Sequence, residues 1–196
     1  MTDAERRAAT ALIDFWFGAP NSVERFEQRD LWFKADPDFD AELGRRFLAL
    51  QKRAASGGCA DWTREAEPCL ALVLLLDQLP RNLYRGKAEA FATDASAREA
   101  AQIALSRGFD RSLPASWRQF FYLPFEHSES LADQQRSVAL FAVLARDPAF
   151  AGSLDYALRH QAIIARFGRF PHRNRALGRP STAAEETFLQ EPNSSF

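Results

Sequence analysis

The chain has 196 residues, is 46% apolar and carries a formal net charge of −1. This suffices for the core of one domain, 1–196 with a loose tail at 190–196, and argues against bulk attraction to nucleic acid or a membrane surface. Two cysteines, Cys59 and Cys69, make neither a disulfide framework nor a four-ligand zinc site. No run reaches the roughly 20 apolar residues of a membrane span, and the charged start, Met1 to Arg7, is no secretory leader. A soluble, reduced, cytoplasmic protein is expected.

In chain order, Thr2-x-x-Glu5 is a capping-box pattern, in which each side chain satisfies the other residue's backbone donor. It predicts a helix to about Phe17, stopped by Gly18-Ala19-Pro20-Asn21. A second short helical piece is predicted from Phe26 to Phe33. Asp36-Pro37 marks another start, with Asp as N-cap and Pro at the first helical position. Phe39, Leu43, Phe47 and Leu50 follow at near i, i+4 spacing until Ser56-Gly57-Gly58. Then comes Leu70-Ala71-Leu72-Val73-Leu74-Leu75-Leu76, apolar on every side. Such a run reads as a helix buried all round. It turns abruptly polar at Asp77-Gln78-Leu79-Pro80-Arg81-Asn82. Thr93-Asp94 caps a helix to about Arg107, with Gly108 as its C-terminal cap. Pro114 opens a short aromatic helix, Trp117 to Phe121, that stops near Pro124. Ser130-x-x-Asp133 starts the next, whose core face is Leu131, Val138, Phe141, Ala142 and Ala145. Asp147-Pro148 repeats the Asp-Pro start for a helix from about Phe150 to Phe167. Gly168 to Pro180 is a loop, and Ser181 or Thr182 caps a last short helix through Phe188. No segment alternates like a strand. The expected fold is all-α, one domain of about eight helices in antiparallel pairs.

Four stretches set polar residues beside bulky apolar ones. They are Asp77-Gln78 with Arg81, Asn82 and Arg85; Glu126-His127 with Glu129; Arg159-His160-Gln161; and Arg166 to Arg175, which includes Arg169, His172, Arg173 and Asn174. All three histidines of the chain lie in them. Asp77 ends its helix against the negative pole of the macrodipole, so it needs a cation, and Arg81 is four residues on. Between Asp155 and Glu185 stand six arginines and no acid. Such a block pairs internally, with Asp77, Glu126 and Glu129 as partners, or meets an anion through the two-pronged guanidinium. A structural ion pair is the plain rival for Asp77 and Arg81. Satisfied buried histidines are the plain rival for His127 and His160. No cofactor is implied, and the His/Glu spacing matches no strong metal motif. Arginines interleaved with Phe167 and Phe170 also suit stacking of single-stranded bases, a weaker reading.

Three segments, Leu75 to Asn82, Phe121 to Glu129 and Arg166 to Asn174, resemble the bacterial "domain of unknown function 924" family. Asp14-Phe15-Trp16-Phe17 and Trp32-Phe33 fit it as well. The resemblance covers nearly the whole chain. It implies an all-α fold grouped with tetratricopeptide-like helical proteins, and it brings no activity and no site residues with it.

Residue chemistry alone therefore frames the function. The expected protein is a helical binding module with a pocket for an anionic small molecule or a peptide carboxylate. Arg81, Arg169 and Arg173 hold the anion, and Asp77, Gln78 and Asn82 orient them. His127, His160 and His172 line the opening, and Glu129 and Asn174 complete the set. The alternative is a hydrolase or transferase at the same place, with His127 or His172 as general base and Glu126 or Glu129 tuning it. A third reading is a structural or interaction protein with no ligand. Convergence of the four stretches separates the first two from the third.

Overall fold

The computed structural model describes residues 1–192, 194 and 195, and among these it contains helices and turns but no strand. The helices are α1 (Asp3–Phe17), α2 (Pro37–Ala55), α3 (Ala66–Val73), α4 (Leu79–Leu83), α5 (Asp94–Ser106), α6 (Phe109–Ser112), α7 (Ala115–Glu126), α8 (Leu131–Leu144), α9 (Ala151–Phe167) and α10 (Ala183–Phe188). Among the described residues no helix is long and apolar enough to cross a membrane.

The capping box starts α1: Thr2 accepts from the Glu5 amide, and the Glu5 carboxylate accepts from the Thr2 amide at 2.7 Å. Gly18 ends it at φ 104°, a conformation that favours glycine. Leu12, Ile13, Trp16 and Phe17 form its buried face. The helical piece expected at 26–33 is instead two 3₁₀ turns, Val23–Phe26 and Asp30–Trp32. Side chains hold them in place of a helical ladder. Arg29 and the Trp32 indole both donate to Trp16 O, and the Trp117 indole donates to Arg25 O. Helix α2 starts on Asp36, which accepts from the amides of Asp38 and Phe39.

Helix α3 carries the apolar run through the middle of the molecule. From Cys69 to Leu76, no side chain is more than 5% exposed. Helices α1, α5 and α7 pack around it, and α2 packs on its continuation into α4. Each fully buried Leu there contributes about 1.5–3 kcal/mol.

Two later helices depart from expectation. Helix α7 runs through Pro124 to Glu126. An interior proline costs about 3 kcal/mol, and burial of Phe120, Phe121, Leu123 and Phe125 on both sides of it outweighs that. Helix α8 keeps Phe141 inward and packs Val138 on the core, but is rotated from the expected face. Gln134, Ser137, Phe141 and Leu144 are buried, while Leu131 and Ala142 are exposed. The Gln134 amide explains the rotation. It donates to Glu126 O at 2.6 Å and Ser128 O at 2.7 Å, carbonyls at and beyond the end of α7 that the helix itself cannot satisfy.

Asp147 caps a 3₁₀ turn, Pro148–Phe150, that feeds α9. Thr182 and Glu185 form a second capping box at α10. The expected tail includes Asn193 and Phe196, which lie outside the described residues; Ser194 donates to Leu189 O. The apolar side chains form two clusters. The larger joins α1, α2, α3, α5 and α7 to part of α8 and α9. The smaller is Ile163, Ile164, Phe170 and Phe188, with Phe167 packed against it.

Candidate functional site

Between α3 and α4 the helix widens into a π-helical turn, Leu74–Gln78, in which the Leu79 amide reaches Leu74 O. Pro80 supplies the physical reason. It has no N–H for Leu76 O, and in a regular α-helix its ring meets that carbonyl. Widening relieves the clash and leaves carbonyls to be satisfied from outside. The Thr93 hydroxyl donates to Leu76 O, and Arg81 Nη1 donates to Asp77 O at 2.7 Å. Thr93 therefore stands at the N-cap of α5, as expected, but spends its hydroxyl on this turn.

The turn keeps Asp77 fully buried. Its carboxylate accepts from the Gln78 amide and from His127 Nδ1 at 2.8 Å, and lies 3.2 Å from Arg81 Nη1. Burial pushes the Asp77 carboxyl up, but Arg81 and His127 together outweigh it and hold it below the ordinary carboxylate range. Arg81 forks onto Asp94 at 2.9 and 3.0 Å. An ionised Asp77 can only accept, so neutral His127 carries its proton on Nδ1 and presents Nε2 as an acceptor. Burial and Arg81 lower the His127 pKa against the pull of Asp77.

Glu126 is the last residue of α7 and is buried. Burial, with Asp77 nearby, pushes its carboxyl up to about 8. Its Oε2 has no hydrogen-bond partner among the described residues. Its Oε1 lies 3.6 Å from His160 Nδ1, which donates instead to Tyr156 O at 2.8 Å. Burial takes the His160 pKa down to about 3. At neutral pH the His160 imidazole is therefore uncharged.

The loop after α9 brings the fourth stretch over this group. Gly168, at φ 68°, ends α9 in the left-handed region that a glycine C-cap needs. Phe170 is buried, and its amide donates to Glu129 at 2.8 Å. Arg173 is 6% exposed. Its Nη1 donates to His127 O at 3.0 Å and to Asp94 at 3.4 Å, and its guanidinium stacks on Phe170 and Phe91 at 4.3 and 4.8 Å. Its Nε has no hydrogen-bond partner among the described residues. Burial and the neighbouring Arg81 lower its pKa to about 10. The His172 ring lies 5.6 Å from that of Phe170, and burial and Arg173 lower its pKa to about 4.

Asp77, Gln78, Arg81, Glu126, His127, His160 and Arg173 thus converge, with Glu129 and His172 beside them. Three candidates point elsewhere. Arg169 forks onto Glu185, Asn82 donates to Asp40, and Asn174 donates to Ser181. The arginine block does pair internally; of the expected partners Glu129 takes part, while among the described residues Asp77 and Glu126 do not pair with it. Asp155, Glu185 and Asp94 take Arg159, Arg169 and Arg173, and Glu129 takes Arg179. Asp94 and Phe91 belong to the group and were not singled out by sequence. An acid at a helix start reads as a cap, and no local pattern tells that two distant arginines meet on it. Two surface depressions lie away from the cluster, one between α1 and α2 beside Phe47 and Leu50, the other along 20–27.

Fold and site define an all-helical protein with a buried carboxylate–histidine–arginine cluster. The chain belongs to the family described as "bacterial protein of unknown function (DUF924)", which matches residues 12–193. A solved structure, the protein of unknown function ATU0120 from Agrobacterium tumefaciens, is 40% identical in sequence. The match covers 94% of this chain and 98% of that one, with a TM-score of 0.84. No curated protein matches.

Proposed function

We propose that the protein is a tetratricopeptide-like helical binding protein of the cytoplasm whose cluster takes a small carboxylate or phosphate, with Arg173 as its principal ligand. The state of Arg173 carries this reading. A guanidinium has five N–H donors, and both hydrogen bonds that this one makes among the described residues leave from Nη1. The Nε–Nη2 edge is the fork that fits a carboxylate or phosphate, and its Nε–H has no acceptor among the described residues. Leaving a buried donor unmet costs about 1–3 kcal/mol, more when it is charged. An anion on that edge recovers the loss. Arg81 adds a second positive charge, Asp77 and Asp94 keep it in position, and His127 and His172 line the approach. Arg169, Asn82 and Asn174 take no part, because their side chains are committed to Glu185, Asp40 and Ser181.

A thermal-shift series at constant ionic strength tests it, with inorganic phosphate and a panel of small carboxylates. A ligand at 100 times its dissociation constant adds about 2.7 kcal/mol. The wild type is expected to be stabilised by at least one anion, and Arg173→Lys, which loses the fork, to lose the effect. A wild type indifferent to every anion sinks the reading.

One observation favours a second reading, an enzyme at the same place. His127 Nδ1 on a buried carboxylate, with Nε2 as acceptor, is the arrangement of a general base. The reaction class is hydrolysis or transfer at a phosphate or carboxylate ester. Turnover of p-nitrophenyl phosphate or acetate lost in His127→Gln, with anion stabilisation retained, supports it. No turnover in the wild type retires it.

A further inference from the structure

The polar cluster touches both apolar clusters: Asp77 follows Leu76 of the larger, and Phe170 of the smaller lies against His160 and Arg173. The smaller one draws every member from residues 163–188. Polar contacts of this segment also close on themselves. Arg169 forks onto Glu185 at 2.6 and 2.8 Å and donates to Pro180 O, and Arg179 donates to Asn174 and Phe170 O. Arg166 lies over the rings of Phe167 and Phe188. Across to the preceding helices, residues 169–188 reach Glu129, Asp94 and His127 O by hydrogen bonds, and Phe170 and Arg173 lie against the rings of His160 and Phe91. The segment keeps an apolar cluster of its own and meets the preceding helices largely through polar groups. Such a piece separates from its neighbour without opening its own apolar contacts to water.

Asp77 is fully buried and Arg173 nearly so, hence a ligand reaches them only if something moves. We infer that residues 163–188, the end of α9 with the loop and α10, form a cap that lifts as one unit over the Asp77–His127 pair, and that Glu129 is its latch. The purpose of the cap rests on the anion-site reading; its existence does not. Glu129 accepts from both sides of Arg173 in the chain. The Phe170 amide reaches it at 2.8 Å, and Arg179 forks onto it at 2.7 and 2.9 Å. Opening exchanges these bonds, and those of Arg173 to Asp94 and His127 O, for water. Phe170 and Phe188 travel with Ile163 and Ile164, so the smaller cluster stays intact and the hinge falls within α9, ahead of Ile163. The open form presents the Nε–Nη2 edge of Arg173 to an anion in solution, and in the closed form Nε is buried and the guanidinium lies against the rings of Phe91 and Phe170.

Hydrogen–deuterium exchange of the full chain, without ligand, tests the cap. Amides of the last turn of α9, of Phe170, Leu177 and Arg179, and of α10 are expected to exchange together, about tenfold faster than those of α7. Glu129→Gln, and independently Arg179→Gln, are expected to raise that rate about tenfold again with α7 unchanged. Cap amides that exchange at the α7 rate in the wild type overturn the inference, and this needs no variant to fold. So do latch variants in which only the loop responds, or in which cap and α7 rise together. The wild-type result also separates the two proposals. Independent cap exchange without any anion stabilisation keeps the cap and removes the anion site. Anion stabilisation with the cap locked to α7 does the reverse.

Discussion

Glu126 is the residue whose charge the fold controls most directly. Its carboxyl rises from 4.5 to about 8, because burial and Asp77 both penalise the anion. The folded state then keeps a proton that the unfolded chain releases. The stability this supplies is complete below pH 4.5 and is lost as pH rises through about 8. His160 and His172 act in the opposite sense. Their pKa values fall from 6.5 to about 3 and about 4, so their contribution is complete above pH 6.5 and is lost as pH falls toward those values. For these three groups stability peaks near pH 6.5, the ordinary histidine value. Glu126→Gln should flatten the alkaline side, with a gain at pH 8 of roughly 2–4 kcal/mol over the carboxylate. Urea unfolding at pH 5, 6.5 and 8 measures it (pH values chosen at about the ends and middle of the window). An alkaline fall identical to wild type would show that another group is responsible. Asp77→Asn takes one of two carboxylates from Arg81, which keeps Asp94, and sets His127 against an amide that can donate as well as accept. It should cost about 1.5–3 kcal/mol and weaken the tautomer preference of His127, visible in its ring-nitrogen NMR shifts.

At the scale of the element, the π-helical turn connects sequence to site most directly. Pro80 was visible in the chain; that the helix would widen rather than break was not. The difference lies in Thr93 and Arg81, which satisfy carbonyls at Leu76 and Asp77 from outside the ladder. Thr93→Val leaves Leu76 O buried without its donor and should cost about 1–2 kcal/mol, while Thr93→Ser should be close to neutral. Equilibrium unfolding of the pair checks it, and equal losses in both would point to the methyl group instead. Helix α8 makes the same point differently. Leu131, Val138 and Phe141 looked like a core stripe; Phe141 is buried and Val138 packs on the core, but Leu131 faces out and Gln134, bridging two carbonyls, takes an inner place. Periodicity ranks side chains by apolarity and cannot see a carbonyl left over on the preceding helix.

On the scale of the whole molecule, the two apolar clusters should respond separately to mutation. Leu75→Ala opens the larger core and should cost about 2–5 kcal/mol in global unfolding. Phe188→Ala should instead speed exchange across 163–188 by at least about tenfold and leave α7 slow. A uniform rise across both regions would mean one core, not two. The arginine block finds its place at this scale too. Arg159, Arg169, Arg173 and Arg179 each meet a carboxylate, one of them within α9 and the others at or beyond a helix end. Of these, Arg173 keeps one edge of its guanidinium without a hydrogen bond at Nε.

The sequence by itself determined the helical class, most helix starts and the buried run. Caps, prolines, glycines and apolar spacing act within a few residues, where the chain's own chemistry decides. It also pointed to the right neighbourhood for the cluster, because charges beside bulky apolar residues must be met by something. Only the tertiary structure decided which charges meet. Asp94 for Arg81 and Arg173, Glu185 for Arg169 and Glu129 for Arg179 are choices of distance between elements. A fork of N–H donors accepts any carboxylate that packing brings within reach, so the partner is set by where the helices come to rest.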